Sequence, residues 1–225
     1  MTGKVLFITG ASTGIGAATA KAAAESGWRV ALFARSGEKL DALVSEIGED
    51  RALAVPGDVT VMDDLANAID RTVRHFGQLD ACFANAGRGL DTAGVENGDP
   101  EEWHAMLDIN INGLLLTVKA AYPELRKTRG HAVLTGSAAG KRHIRGSVYG
   151  ASKWFVQGFA GNLSEEMSEW GGRCTVICPG MVDTPFFDEP KPDKLRPEDV
   201  ARGVVYALDQ PERADVREVF IMPTG

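Results

Sequence analysis

Three side chains in the second half of the chain have the types and the spacing for proton transfer: Ser137, Tyr149 and Lys153. If residues 147–167 form a helix, Tyr149 and Lys153 stand at i and i+4, on one face with Cβ atoms about 5–6 Å apart. A phenol with an ordinary pKa of about 10 exchanges protons poorly at neutral pH. An ammonium within about 4–6 Å favours the phenolate and lowers that pKa, which makes tyrosine usable as a general acid and base. Taken alone, Tyr-x-x-x-Lys also describes a packed tyrosine beside a solvated helix charge, so the remaining sequence has to supply a site around the pair.

A second constellation lies near the start. Lys4-Val5-Leu6-Phe7-Ile8-Thr9 is an apolar, β-branched run that stops at a glycine, the pattern of a buried parallel strand. Gly10-Ala11-Ser12-Thr13-Gly14-Ile15-Gly16 follows, and then an alanine-rich stretch, 17–26, suited to a helix packed tightly on a sheet. Strand, glycine turn and helix form a dinucleotide-type phosphate cradle, because glycines let the backbone approach and a helix N-terminus supplies free N–H groups. The spacing is Gly-x-x-x-Gly-x-Gly, which differs from the Gly-x-Gly-x-x-Gly fingerprint, and a glycine turn without a ligand is the other reading. The next strand, 28–33, ends in Ala34-Arg35-Ser36. An acidic residue at that point takes the ribose 2′-hydroxyl of NAD, whereas an arginine accommodates the 2′-phosphate of NADP. Arg35 therefore points to NADP, or is a surface charge.

The elements that must position these residues alternate. The third strand, 51–55, leads to Gly57-Asp58-Val59, a carboxylate on a strand-end loop where an adenine can be held or a simple turn built. The fourth, 79–84, closes with Asn85-Ala86-Gly87: an asparagine able to bond backbone groups, and a glycine that keeps a cofactor channel open. Helices are expected over 40–47 and 63–75, and over 100–126 with Pro100 and two acids in its first turn. Asn110 and Asn112 interrupt that last helix and need partners if buried. A fifth strand, 131–135, delivers Gly136-Ser137, and a sixth, 172–178, delivers Pro179 to Pro185. Residues 186–196 read as a mobile lid or a solvent loop, 197–208 as a helix, and 218–222 as a last strand. Strands alternating with helices imply an α/β architecture, a doubly wound parallel sheet of about seven strands flanked by helices, in a single domain over 1–225. Ligands of such sheets bind beyond the strand carboxyl ends, where every polar motif above falls.

Composition narrows the function classes. The 225 residues are 44% hydrophobic, enough for one sizeable core. A net charge of −7 with only Lys141, Arg142 and Arg145 as a local basic group argues against a nucleic-acid surface. No apolar run approaches the roughly 18 residues of a membrane span, and Met1-Thr2-Gly3-Lys4 leads straight into a strand, so no membrane partner and a cytoplasmic location are expected. Cys174 and Cys178 would lie roughly 13 Å apart along a strand, too far for a disulfide. The histidines 75, 104, 131 and 143 have no ligand spacing, so no metal site is expected.

With these residues assembled, the chain resembles the short-chain dehydrogenase/reductase family in its classical form, over essentially its full length. The resemblance rests on the segment from Thr9 to Gly16, Asp58, Asn85-Ala86-Gly87, Asn110, Ser137, Tyr149 with Lys153, and Pro179-Gly180 with Thr184. It implies a Rossmann fold in which Tyr149 transfers the proton, Lys153 lowers its pKa and holds the nicotinamide ribose, Ser137 orients the substrate oxygen and Asn110 supports a proton relay. It further implies that Gly10, Ser12, Thr13, Gly14, Ile15 and Gly16 hold the pyrophosphate. Arg35, Asp58 and Val59 take the adenosine side, Asn85, Ala86 and Gly87 line the centre, and Pro179, Gly180, Val182 and Thr184 contact the nicotinamide side. Homodimers or homotetramers packed through the helices of Asn110 and Tyr149 are implied as well. Ala84 departs from the pattern, since many members carry a second asparagine there. The expected activity is hydride transfer between NADP(H) and a carbonyl or secondary alcohol substrate, with a 3-hydroxy acid or a small ketone as candidates. The rival is a catalytically silent dinucleotide-sensing regulatory protein, which predicts damage at Tyr149, Lys153 or Ser137. An extended-type sugar-nucleotide epimerase would need a larger C-terminal substrate domain.

Overall fold

The computed structural model describes residues 3–92, 94–187 and 189–224. Its strands are β1 (Val5–Thr9), β2 (Arg29–Phe33), β3 (Ala52–Ala54), β4 (Ala81–Ala84), β5 (His131–Thr135), β6 (Arg173–Pro179) and β7 (Glu218–Ile221). They form one sheet in the order β3-β2-β1-β4-β5-β6-β7, parallel throughout. The helices are α1 (Gly14–Glu25), α2 (Gly37–Ile47), α3 (Met62–Phe76), α4 (Pro100–Leu107), α5 (Leu114–Thr128), α6 (Val148–Ser168) and α7 (Pro197–Leu208). Strand order reverses between β1 and β4, so a crevice opens there at the carboxyl edge.

Alternating side chains of the strands feed two cores. Leu6, Ile8 and Leu32 pack with Ala20 and Ala23 of α1, Leu40 and Leu43 of α2, and Val200 and Val204 of α7. Phe7, Phe33 and Leu134 face the other way, against Leu65 and Ile69 of α3, Val118 and Leu125 of α5, and Val156 and Leu163 of α6. Because both faces are covered, the strands read as near-continuous apolar runs. Helix α6 starts where Ser147 Oγ accepts the Gly150 N–H at 2.9 Å. That satisfies a donor with no intrahelical partner.

The single helix expected over 100–126 differs from the structure. Between α4 and α5 the backbone widens into a π-helical turn over Asp108–Gly113. The extra residue turns Asn110 inward, where it is 1% exposed. Gly113 lets Val59 approach to 2.9 Å of where a Cβ would stand. Such turns frequently sit at functional sites.

At the far end of the sheet, His131 is 1% exposed. Its Nε2 lies 2.7 Å from Thr175 Oγ1, and that hydroxyl donates in turn to the Val216 carbonyl. The ring proton is therefore assigned to Nε2, which leaves Nδ1 buried without a partner. Burial, with Arg173 and Lys4 adding like charge, pushes the His131 pKa down to about 3. The unfolded chain binds a proton below about pH 6.5 that the native state refuses, so stability falls with pH from about 6.5 downward, by at most about 1.4 kcal/mol per unit from this group. Urea unfolding should show a lower midpoint at about pH 5 than at about pH 7.5, and His131→Gln should shrink that difference.

Candidate active site

The glycine turn after β1 is closed so tightly that side chains cannot enter it. A Cβ on Gly16 would stand 2.2 Å from the Gly10 carbonyl oxygen, and one on Gly10 would stand 2.9 Å from the Ala86 Cα. Gly10 and Gly14 adopt left-handed φ of 65° and 55°, which glycine reaches without strain. Thr13 occupies the N-cap of α1, and its side chain makes no cap hydrogen bond. Free N–H groups at the helix start beside a backbone stripped of side chains fit a phosphate, with Ser12, Thr13 and Ile15 on the rim.

Asn85 ties this turn to the centre of the sheet. Its Nδ2 donates to the Thr9 and Gly10 carbonyls at 3.0 and 3.4 Å, and its Oδ1 accepts the Thr135 hydroxyl at 3.3 Å. The Thr9 hydroxyl accepts the N–H groups of Asn85 and Ala86 at 3.0 and 3.2 Å. On the adenosine side, Arg35 is exposed and makes no hydrogen bond among the described residues. Asp58 Oδ1 accepts from the Thr60 N–H and hydroxyl at 2.9 and 2.8 Å. The Thr60 N–H holds the Asp58 carboxyl below its ordinary pKa against the opposing effect of burial, with the Thr60 hydroxyl and the Arg35 guanidinium adding to it. Asp58 is thus a turn-builder as well as a strand-end carboxylate. Val59 is 8% exposed and packs its side chain inward, so anything it offers a ligand is backbone.

Ser137, Tyr149 and Lys153 meet at the ends of β5 and α6. The Ser137 hydroxyl lies near enough to Tyr149 to lower its pKa, and it accepts the Ala139 N–H at 3.1 Å. Lys153 is 4% exposed; its Nζ donates to the Thr135 carbonyl at 2.9 Å and stands 5.7 Å from the Tyr149 ring centroid. One expectation needs correction. Spacing suggested that the ammonium depresses the phenol's pKa, yet burial raises the Tyr149 pKa and the Ser137 hydroxyl, rather than Lys153, is what offsets part of the effect. Burial also brings Lys153 down to about 8. What results is a neutral phenol near a hydroxyl and a buried ammonium, which can give a proton to a ligand oxygen.

Asn110 lies next to this group without touching the phenol. Its Oδ1 accepts the Arg88 N–H at 2.9 Å, and its Nδ2 donates to the Arg88 carbonyl and Ser152 Oγ at 3.1 and 3.4 Å. Ser152 Oγ donates to the Tyr149 carbonyl at 2.7 Å. Ser152 and Thr135 escaped the sequence reading; the place of Ser152 three residues after Tyr149, on the same helix face, was its available signal.

The segment after β6 closes over the site. Val182 bridges to Leu195, and Gly180 N–H donates to the Ile221 carbonyl at 2.7 Å, continuing the sheet past Pro179. The Thr184 methyl lies 3.2 Å from where a Gly14 Cβ would stand, over the phosphate cradle. Phe186 follows, its ring centroid 5.8 Å from that of Tyr149. Of the segment 186–196, Asp188 falls outside the described residues. The basic group divides: Lys141 pairs with Glu218 at 2.5 Å, whereas Arg142 and Arg145 are exposed and make no ion pair among the described residues.

Comparison with known proteins agrees with this geometry. A family model described as short chain dehydrogenase matches residues 4–195. An uncharacterized oxidoreductase of Staphylococcus saprophyticus is 37% identical over 228 residues, covering 98% of this chain and 97% of that protein. An alcohol dehydrogenase from the archaeon Thermococcus sibiricus, solved with 5-hydroxy-NADP, superposes with a TM-score of 0.90 at 30% identity, covering 98% and 97% of the two chains. Serine dehydrogenase from Escherichia coli gives 0.88 at 28% identity, covering 97% of each. From the glycine cradle to the Ser137, Tyr149 and Lys153 group, and by these matches, the chain belongs to the short-chain dehydrogenase family of oxidoreductases.

Proposed function

We propose that the protein is an NADP(H)-dependent carbonyl reductase or alcohol dehydrogenase, working as one domain in the cytoplasm. The observation that carries this reading is the pairing of Tyr149 with buried Lys153, whose Nζ stands 5.7 Å from the phenol ring, at the carboxyl edge that also holds Ser137 and the glycine cradle. When bound, the nicotinamide supplies hydride to a carbonyl carbon or accepts it from a secondary alcohol.

The residues present fit that group. Backbone of residues 10–16 would hold the pyrophosphate. Arg35, with free donors and no carboxylate on its own strand end, would take a 2′-phosphate, with Asp58 and Val59 beside the adenine. Asn85, Ala86 and Gly87 would form the floor, and Pro179, Gly180, Val182 and Thr184 the nicotinamide side. Lys153 would reach the nicotinamide ribose. The T. sibiricus relative, solved with 5-hydroxy-NADP, supports the cofactor choice.

In reduction, Tyr149 gives its phenolic proton to the substrate oxygen while Ser137 hydrogen-bonds the same oxygen. Burial keeps the phenol protonated until that oxygen arrives. The Lys153 ammonium then stabilises the phenolate left behind, and Asn110, through Ser152 and the Arg88 backbone, holds α6 and the floor of the cleft together as a proton relay is served. A small ketone satisfies this geometry. A 3-hydroxy acid would gain from Arg142 and Arg145, the basic residues of the 141–146 loop that have no ion pair.

A second copy of the chain would dock on α5 and α6. Phe155 is 38% exposed and stacks on Phe159 with ring centroids 6.0 Å apart, and no atom lies within 4 Å of a Cβ built on Gly158 or Gly161. This open row of an aromatic pair and two glycines suits close helix packing.

Three outcomes test these readings. Tyr149→Phe should lower turnover by about 100- to 10,000-fold with every substrate tried, while NADPH binding stays within about twofold; retained turnover would remove Tyr149 as the acid. Arg35→Ala should weaken NADPH about 10- to 100-fold and leave NADH nearly unchanged, the loss expected for a charge-assisted hydrogen bond. Phe155→Asp should convert the oligomer to monomer in sedimentation velocity. Screening ketones and hydroxy acids by nicotinamide absorbance sets the substrate, and complete silence with tight NADPH binding would favour a dinucleotide sensor.

A further inference from the structure

We infer that Gly89 and Phe186 form a size filter over Tyr149, a pair that admits slim carbonyl substituents and turns away fused aromatic ones. The inference rests on the reductase reading and concerns residues to which that reading assigns no part.

Phe186 sits on a tight turn: its N–H donates to Thr184 Oγ1 at 3.3 Å, and the Phe187 N–H donates to the Thr184 carbonyl at 3.1 Å. The Phe186 ring is tilted by 57° against that of Tyr149, with centroids 5.8 Å apart. Phe187 supports it edge-on at 5.1 Å and 76°. On the loop after β4, Gly89 leaves the room this ring occupies. A Cβ at 89 would stand 3.1 and 3.2 Å from two Phe186 ring atoms, closer than van der Waals contact allows. Gly89 is not in a left-handed conformation, so alanine there would act through the contact and not through backbone strain.

The walls differ in rigidity. Gly89 follows Arg88, whose backbone N–H and carbonyl are both held by Asn110 at 2.9 and 3.1 Å. Tyr149 is held by α6, and its carbonyl accepts the Ser152 hydroxyl at 2.7 Å. Phe186 is 40% exposed, so it can yield only outward, into solvent. A methyl at 89 therefore shifts the ring outward by a few tenths of an ångström and loosens the filter, and removing the ring loosens it further.

The test uses unreactive carboxamides as carbonyl mimics, isobutyramide as the slim probe and naphthamide as the bulky one, titrated calorimetrically into protein saturated with NADP+. The unmodified protein should prefer isobutyramide. Phe186→Ala should shift the affinity ratio toward naphthamide by about tenfold or more, on the scale of pocket discrimination between hydrocarbon groups. Gly89→Ala should shift it the same way by a smaller factor, and in the double variant it should add nothing to Phe186→Ala, because the methyl then has no ring to displace. A ratio within about twofold of the unmodified value in Phe186→Ala, or an undiminished Gly89→Ala effect in the double variant, overturns the filter, as does failure of either amide to bind any of the four proteins. Turnover of butanone and acetonaphthone with NADPH separates the two claims. Turnover with no change in amide ratio sinks the filter and leaves the reductase, whereas shifted ratios with no turnover sink the reductase and leave the filter.

Discussion

Helix α1 begins so close to the end of β1 that no side chain fits at position 16, where a Cβ would be 2.2 Å from the Gly10 oxygen. The rest of the site depends on that approach. With the helix drawn in, the Thr9 and Gly10 carbonyls turn toward β4, and the Asn85 amide meets both. Asn85 also accepts the Thr135 hydroxyl from β5, and the Thr135 carbonyl in turn accepts Lys153 Nζ. Four side-chain hydrogen bonds thus run from the phosphate cradle, across the sheet at its topological switch point, to the buried ammonium. A larger residue at 16 would move the helix, part the carbonyls and leave Asn85 with unmatched donors, and a buried unsatisfied amide costs roughly 1–3 kcal/mol.

Electrostatics at the end of that chain follow from burial more than from pairing. Lys153 has a carbonyl and not a carboxylate as its hydrogen-bond partner, so its charge is only weakly supported and its pKa sinks to about 8. A carboxylate in that place would fix the charge and would also compete for the phenol's proton. Cys178, behind Ser137, stays neutral because burial pushes its thiol up to about 11, and its Sγ accepts from Gln157 Nε2 at 3.0 Å. Tyr149 and its neighbours therefore share an interior in which, among the described residues, the ammonium is the charged group beside the phenol, and a phenolate formed there has its counter-ion already in place.

The framework was readable in the sequence because its signals are local. Runs such as Val5–Thr9 and His131–Thr135 are apolar on both faces and stop at glycine, and α7 starts as expected at Pro197 with Glu198 and Asp199 in its first turn. Strand β3 is shorter than the 51–55 expected, although the Arg51 carbonyl and the Val55 N–H still bond Val30 and Leu32 of β2. What could not be read depends on contacts distant in sequence. The π-turn arises from Asn110 reaching Arg88 and Ser152, 22 and 42 positions away. Lys141 reads in the sequence as one of a local basic group, and only the fold brings Glu218 of β7 to it. The direction of the Tyr149 shift was missed for the same reason: i, i+4 spacing records a neighbour on the helix, whereas desolvation is imposed by everything packed above it.

The segment after β6 joins the two halves of the site. Its base is fixed: Asp183 N–H donates to the Leu195 carbonyl at 2.7 Å, Leu195 N–H returns to Met181 at 3.1 Å, and the Asp183 carboxylate accepts the Lys191 N–H at 2.7 Å. Within the turn that this base supports, Thr184 touches the phosphate cradle and Phe186 touches Tyr149, two positions apart. Two residues span at most about 7 Å, so both contacts are made by one short stretch of backbone. One turn therefore borders both the glycine cradle and the space above the phenol, and its fixed base holds the two walls in register.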